Sequence, residues 1–274
     1  YDSTCRQCSR LITQRYSTSF SMGIRLFEKR FRAPIYGIYG FVRFADEIVD
    51  TFHDKPKARL LDRFCEDTWR AIDERISLNP VLHSFQEVVH TYRIERELIE
   101  AFLHSMRMDL DNQAYDSAGY EEYIYGSAEV VGLMCLRVFA EGDDALYQRL
   151  KSPARSLGAA FQKINFLRDI KSDFDDRGRI YFPGVDFSNF TNADKKQIEA
   201  DIRADFDAGL EGIRQLPKGA RLGVYLAYKY YTQLFAKIKK APAQRVAEER
   251  IRVSDKRKVY LVFTSTLRHS LNFL

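Results

Sequence analysis

Residues 33–51 read APIYGIYGFVRFADEIVDT. Pro34 near the start suits a first helical turn, where its missing N–H costs nothing. Ile35, Ile38, Tyr39, Val42, Ala45 and Val49 then recur with the 3.6-residue period of a helix that buries one face. On that helix Asp46 and Asp50 stand four apart, with Arg43 just before them. At this spacing both carboxylates project from one face, with Cβ atoms about 6 Å apart. A second stretch, QKINFLRDIKSD at residues 162–173, repeats the pattern. Gln162, Asn165, Asp169 and Asp173 form one polar stripe among Ile164, Phe166 and Leu167, with Arg168 alongside.

Like charges four residues apart destabilise a bare helix by a few tenths of a kcal/mol, about 0.2–0.5. A polar stripe on a buried face therefore calls for cations. Hard divalent ions prefer carboxylate oxygen, and Mg²⁺ is commonly shared between one or two carboxylates and substrate phosphates. Two such faces across a cavity would hold a polyanion through bridging metal. A structural salt-bridge network would satisfy the same spacing. The sequence holds two further Asp pairs four apart. Asp201/Asp205 reads as a solvated helix face beside Lys195, Lys196 and Arg203, and Asp54 falls in a loop ahead of Pro56.

Outward from these motifs the helical period continues nearly throughout. Helices are predicted over residues 55–76, from Pro80 through Val89, and over 95–109, 121–140, 155–173, 193–210 and 222–240. The 121–140 run is apolar on most sides and carries Gly126, Ser127, Ala128 and Gly132. Residues 175–192 form the one irregular stretch, and no period-2 alternation stands out. The fold class is all-α: a single domain over residues 1–274, a helical bundle around a central hydrophobic cavity.

Composition narrows the function. Net charge is +5, with Lys and Arg dispersed, which suits anionic substrates and gives no nucleic-acid motif. Cys5 and Cys8 form a lone C-x-x-C without a second ligand pair, so all four cysteines read as free thiols of a reducing compartment. The five histidines make no ligand pattern. No stretch approaches the roughly 20 apolar residues of a membrane span, and no secretory leader is visible. The apolar segment 259–274 reads as a terminal core helix, with docking on a membrane surface as the alternative. These features place the chain in the cytoplasm, with peripheral association at the inner face of the membrane as a further expectation.

At the two acidic stretches the chain resembles the squalene/phytoene synthase family, the head-to-head isoprenyl diphosphate synthases, over nearly its whole length. Residues 16–20, YSTSF, resemble the family's early H-x-K-S-F stretch, although Tyr16 stands for the histidine. Residues 38–50 match its first acidic motif, and residues 165–173 with the trailing 177–183, RGRIYFP, match the second. The D-E-x-V-D form of the first motif, Met106–Leu110 and Val131–Met134 resemble bacterial and plant phytoene synthases.

The resemblance implies packed helices around a deep apolar pocket with acidic walls at its mouth. It implies Mg²⁺, with Mn²⁺ as a substitute, on Asp46, Asp50, Asn165, Asp169 and Asp173. It places Arg43, Arg168, Tyr39, Gln162 and the Tyr16, Ser17, Thr18, Ser19, Phe20 segment against prenyl diphosphates, and Tyr123 beside the reacting carbons. The implied reaction joins two geranylgeranyl diphosphates through a cyclopropyl diphosphate to phytoene, in carotenoid biosynthesis. No NADPH is expected for that product, and the released diphosphate or Tyr123 would guide proton transfer. The alternatives are a C15-using squalene, hydroxysqualene or dehydrosqualene synthase, and an inactive relative acting in assembly. Two positions depart from the pattern. Glu129 replaces a small residue beside the cavity, and Gln244 stands where a tyrosine is expected, leaving Lys256, Arg257 or Lys258 to supply charge. The sequence leaves oligomeric state open.

Overall fold

The computed structural model describes residues 1–111, 114–173, 179–186, 189–254, 260–262 and 264–266. Among them the chain forms α1 (Asp2–Tyr16), α2 (Thr18–Arg25), α3 (Lys29–Asp50), α4 (Lys57–Glu74), α5 (Pro80–Tyr92), α6 (Arg96–Asp111) and α7 (Ser117–Ile124). A π-turn (Tyr125–Glu129) leads into α8 (Val130–Ala140), followed by α9 (Asp144–Lys171), α10 (Asn192–Gln215), α11 (Lys218–Lys240) and α12 (Ala243–Glu248). One parallel bridge, Ala114 to Ile180, is isolated. The expected all-α architecture is what forms.

Helix starts follow from local side-chain chemistry. The Asn79 Oδ1 accepts the Val81 N–H at 3.0 Å and opens α5 at Pro80. The Asp143 Oδ1 accepts the Leu146 N–H at 2.9 Å, so α9 begins well before the expected Arg155. Thr191 and Asp194 cap each other reciprocally at the head of α10. Pro34 lies inside α3 rather than in its first turn. The extra turn survives the lost hydrogen bond because Phe31 within it is fully buried.

Two apolar clusters carry the fold. One joins α3, α4, α5, α6 and α8 around the stacked rings of Phe41 and Phe85, 3.9 Å apart. The other joins the second half of α9 to α10, α11 and the Tyr181–Phe182 segment. Tyr147 and Leu150 at the head of α9 belong to the first, and Ile164 and Leu167 to the second. This helix is therefore the shared spine, and the site lies along it.

The continuous helical run Ser117–Ala140 corrects one expectation. By length and composition it could cross a membrane, yet 56% of its apolar window is buried within the fold. It packs as a core helix between α6 and α9. The π-turn lets it do so. A Cβ on Gly126 would sit 2.3 Å from the Ala101 carbonyl oxygen, and one on Gly158 would sit 2.7 Å from that of Ala128. Only glycine allows backbones to approach that closely. Within segment 259–274, only residues 260–262 and 264–266 are described, with Tyr260 exposed and Leu261 and Ser265 buried.

Candidate active site

The first wall is the last two turns of α3, with the head of α2 against it. Ser17 caps α2, its Oγ accepting the Phe20 N–H at 3.2 Å. Phe20 stacks on Tyr39 at 4.7 Å. The Tyr16 ring lies under the Arg43 guanidinium at 4.5 Å. The expected binding segment at residues 16–20 is thus brought onto the first acidic motif, with Ser19 partly buried and Thr18 turned to solvent. Burial pushes the Tyr39 hydroxyl up to about 12, opposed by a hydrogen bond with Ser17.

Arg43 pairs with Glu47 and stands 4.0 Å from Asp46. Its Nε is buried without a hydrogen-bond partner. Asp46 keeps a third of its side chain exposed to the cleft. Even so, its deep position pushes its carboxyl up to about 7, and Asp50 raises it further while Arg43 opposes. Carboxylates crowded in this way favour any cation that reaches them.

The second wall is the end of α9. Tyr231 of α11 donates its hydroxyl to Asn165 Oδ1 at 3.2 Å. The Asn165 amide donates to Gln162 at 3.3 Å, and Gln162 in turn to Ser127 at 3.4 Å. Arg168 grips Asp169 with Nε at 3.0 Å and with Nη2. The Arg250 Nε approaches the same carboxylate at 2.8 Å. Asp173 is 6% exposed, and its carbonyl accepts the Arg179 N–H at 2.8 Å.

One residue joins the walls. Arg179, in the segment returning after α9, places Nη1 3.1 Å from Asp50 and 3.5 Å from Asp109. An apolar cavity of about 290 Å³ is lined from both α3 and α9. Tyr39 and Gln162 both line it, and each precedes its wall's leading aspartate, Asp46 or Asp169, by seven residues. The two helices thus descend in parallel roles. Along α9 the lining runs from Gln162 back to Leu150, about 18 Å at 1.5 Å per residue. Phe27, Val131, Cys135, Phe139 and Leu216 are among the apolar side chains that face it.

The donor set of Asp46, Asp50, Asn165, Asp169 and Asp173 is all oxygen. That fits a hard divalent ion whose remaining ligands are phosphate and water. Elsewhere, Asp2, His83 and Glu87 bring three ligand atoms within 4.8 Å of one another. Arg6 already takes Glu87 through two hydrogen bonds, and His83 meets Asp2, so this group is a surface ion-pair cluster.

Several sequence readings change here. Tyr123 is 3% exposed, donates its hydroxyl to Asp109 Oδ2 at 2.7 Å, packs on Phe166 of α9 and is not among the cavity-lining residues. Asp201 and Asp205 do not form a merely solvated face. Both accept from Lys163, which is only 9% exposed, and pin α10 to α9. The π-turn directs Ser127 and Ala128 to the cavity and Glu129 to Arg155, which disposes of the unwanted charge. Gln244 turns to Glu248 at 3.0 Å, and it is Arg250 that supplies positive charge at the mouth. Arg177 and Lys256–Lys258 lie outside the described residues.

Sequence reasoning gave no role to Asp109, Arg179, Tyr181, Tyr231 or Arg250. Asp109 does stand inside the quoted stretch 106–110, and Arg179 and Tyr181 inside 177–183. An aspartate set between apolar neighbours, Met108 and Leu110, is the available signal.

A family model described as squalene/phytoene synthase matches residues 13–257. Phytoene synthase of Rhodobacter capsulatus is 30% identical over 274 residues, covering 92% of this chain and 78% of that protein. Chloroplastic phytoene synthase 1 of Zea mays is 28% identical over 257 residues, 83% of this chain but only 60% of the maize protein's length. A crystal structure of a dehydrosqualene synthase in complex with ligand superposes with a TM-score of 0.85 at 22% identity, over 97% of this chain and 96% of that one. On this match the chain belongs to the squalene/phytoene synthase family.

Proposed function

We propose that the protein joins two geranylgeranyl diphosphates head to head, forming phytoene through a cyclopropyl diphosphate. One observation carries this reading: both acidic helices line a single apolar cavity, with Tyr39 and Gln162 each two turns below Asp46 and Asp169. Lipid chains enter the cavity and diphosphates remain at the mouth. Mg²⁺ held by Asp46 and Asp50 on one wall and by Asn165, Asp169 and Asp173 on the other would neutralise the leaving groups. Mn²⁺ has the same ligand preferences and substitutes for it.

The chain's own groups account for the rest. Arg43 beside Asp46, and Arg168 and Arg250 beside Asp169, would meet the diphosphates. Loss of the first diphosphate leaves an allylic cation, whose C1 is attacked by the double bond of the second substrate. Proton loss closes the cyclopropane. Departure of the second diphosphate, rearrangement to the 1-1′ link and a second proton loss complete phytoene. Two diphosphates and two protons leave, so no reductant is required. A dry apolar chamber protects both cations from water. Burial and the Asp109 charge raise the Tyr123 hydroxyl well above its ordinary range. It stays a neutral phenol whose proton is held by Asp109, and released diphosphate is the proposed proton acceptor.

The family's own description covers squalene as well as phytoene synthases, and this favours a second reading with C15 substrates. An inactive assembly role is disfavoured by the retention of all four motif aspartates with both arginines. Peripheral membrane association would suit so apolar a product, and flotation with liposomes tests it.

The deciding experiment is product chromatography with C15 and C20 diphosphates, with and without NADPH. The expected result is C40 product from the C20 substrate without reductant, lost on EDTA treatment. Asp46→Ala and Asp169→Ala each abolish turnover with the fold intact. C30 product alone, or turnover indifferent to EDTA, would sink the corresponding part of the proposal.

A further inference from the structure

Asp109 is 8% exposed in the last turn of α6. A carboxylate so buried persists only where partners compensate it. Its partners come from different elements. Tyr123 of α7 donates to Oδ2 at 2.7 Å, and Tyr181 donates to Oδ1 at 3.2 Å. Arg179 stands 3.5 Å from Oδ1 and uses the same nitrogen to reach Asp50. The rings extend the network to the other wall. Tyr181 stacks on Phe166 with centroids 4.0 Å apart and planes 8° apart, and Phe166 follows Asn165 on α9. Tyr115 and Tyr123 pack against each other and against Tyr181.

We propose that Asp109 is the positioning residue of this site: it aims the Tyr123 and Tyr181 hydroxyls and sets Arg179 against Asp50. The inference deepens the proposed function and rests on it. A phenol has one proton to donate. With that proton committed to Asp109, the lone pairs of the Tyr123 oxygen face away from the carboxylate. An amide in place of the carboxylate offers N–H donors to the same phenols and a weaker partner to Arg179. The hydroxyls then turn, and Arg179 shifts toward Asp50. Shape is nearly conserved, so the effect reaches turnover more than folding.

The test uses the full chain with Mg²⁺ and geranylgeranyl diphosphate, following diphosphate release and melting temperature. Asp109→Asn is expected to lower kcat about 10–100-fold, the range typical of lost supporting contacts. KM stays within about threefold and melting is undiminished, while Asp109→Glu restores part of kcat. The double variant D109N/Y123F is expected to be no slower than the slower single variant, because both act through one hydrogen bond. If D109N fails to fold, Tyr181→Phe serves instead. It removes a single hydroxyl, and a several-fold loss of kcat supports the proposal. Undiminished kcat in folded D109N, or in Y181F, overturns it, as do fully additive losses in the double variant. A wild-type protein inert toward every prenyl diphosphate overturns the proposed function and this inference together. An active wild type with an equally active D109N overturns this inference alone.

Discussion

Asp46 holds electrostatic strain that can be measured without any substrate. Its carboxyl is pushed from 3.8 up to about 7, first by burial and then by Asp50. A gap of about 3 units at about 1.36 kcal/mol each sets a ceiling of roughly 4 kcal/mol. The side chain is 33% exposed, and water screening reduces this to the order of 1–2 kcal/mol. The sign follows from proton binding. Between pH 4 and 7 the unfolded chain has lost this proton while the folded protein keeps it. Stability therefore falls as pH rises through that window, and the whole penalty applies above pH 7. Asp46→Asn removes the penalty and gives up only a 4.0 Å approach to Arg43, which keeps Glu47. In EDTA at pH 8 the variant should melt about 2–8 °C above wild type, at roughly 2–4 °C per kcal/mol for a chain of this size. The difference should shrink toward zero near pH 4. Adding Mg²⁺ with inorganic diphosphate should raise the wild-type melting temperature and leave the variant nearly unmoved. A variant that melts below wild type at pH 8, or a gap that ignores pH, would refute the reasoning.

Two further perturbations separate cavity from scaffold. Cys135→Phe places a ring in the cavity wall; turnover of the C20 substrate should fall about 10-fold or more while that of a C15 substrate changes by less than about threefold, measured side by side. Equal losses would show that the ring disturbs something other than chain length. Lys163→Met strips Asp201 and Asp205 of their shared partner; urea unfolding should show a loss of about 2 kcal/mol, with kcat of the remaining folded protein unchanged. Restoration of stability by D201N/D205N in the same chain would show the cost to be unpaired charge.

The bundle and the acidic walls could be read from the chain because both are periodic signals. An apolar 3.6-residue repeat marks α3 and α9, and carboxylates four apart share a face wherever the helix lies. The remaining site residues belong to no such pattern. Asp109 gains its meaning from Tyr123, Tyr181 and Arg179, which lie 14, 72 and 70 positions away. Tyr231 meets Asn165 across 66. Single polar residues that meet only after folding leave no local spacing to recognise. The π-turn escaped for a related reason. Its cause is the approach of the Ala101 and Ala128 carbonyls to Gly126 and Gly158, a contact between helices rather than a property of the segment itself.

The same distant contacts offset the charge gathered at the acidic walls. Arg43 serves Glu47 and, at longer range, Asp46; Arg179 serves Asp50 and Asp109; Arg168 and Arg250 serve Asp169. Arg179 and Arg250 come from segments outside the core helices, the return after α9 and the stretch after α12. Under the proposed function each prenyl diphosphate brings about three negative charges to the mouth, and the guanidiniums then have a stronger anion to bind than a carboxylate. An exchange of partners, arginine from carboxylate to diphosphate as the aspartates receive Mg²⁺, keeps the mouth near neutrality at every stage. The arginines outside the core helices can make that exchange without moving the helices that shape the cavity, so substrate capture need not disturb the packing on which the chamber depends.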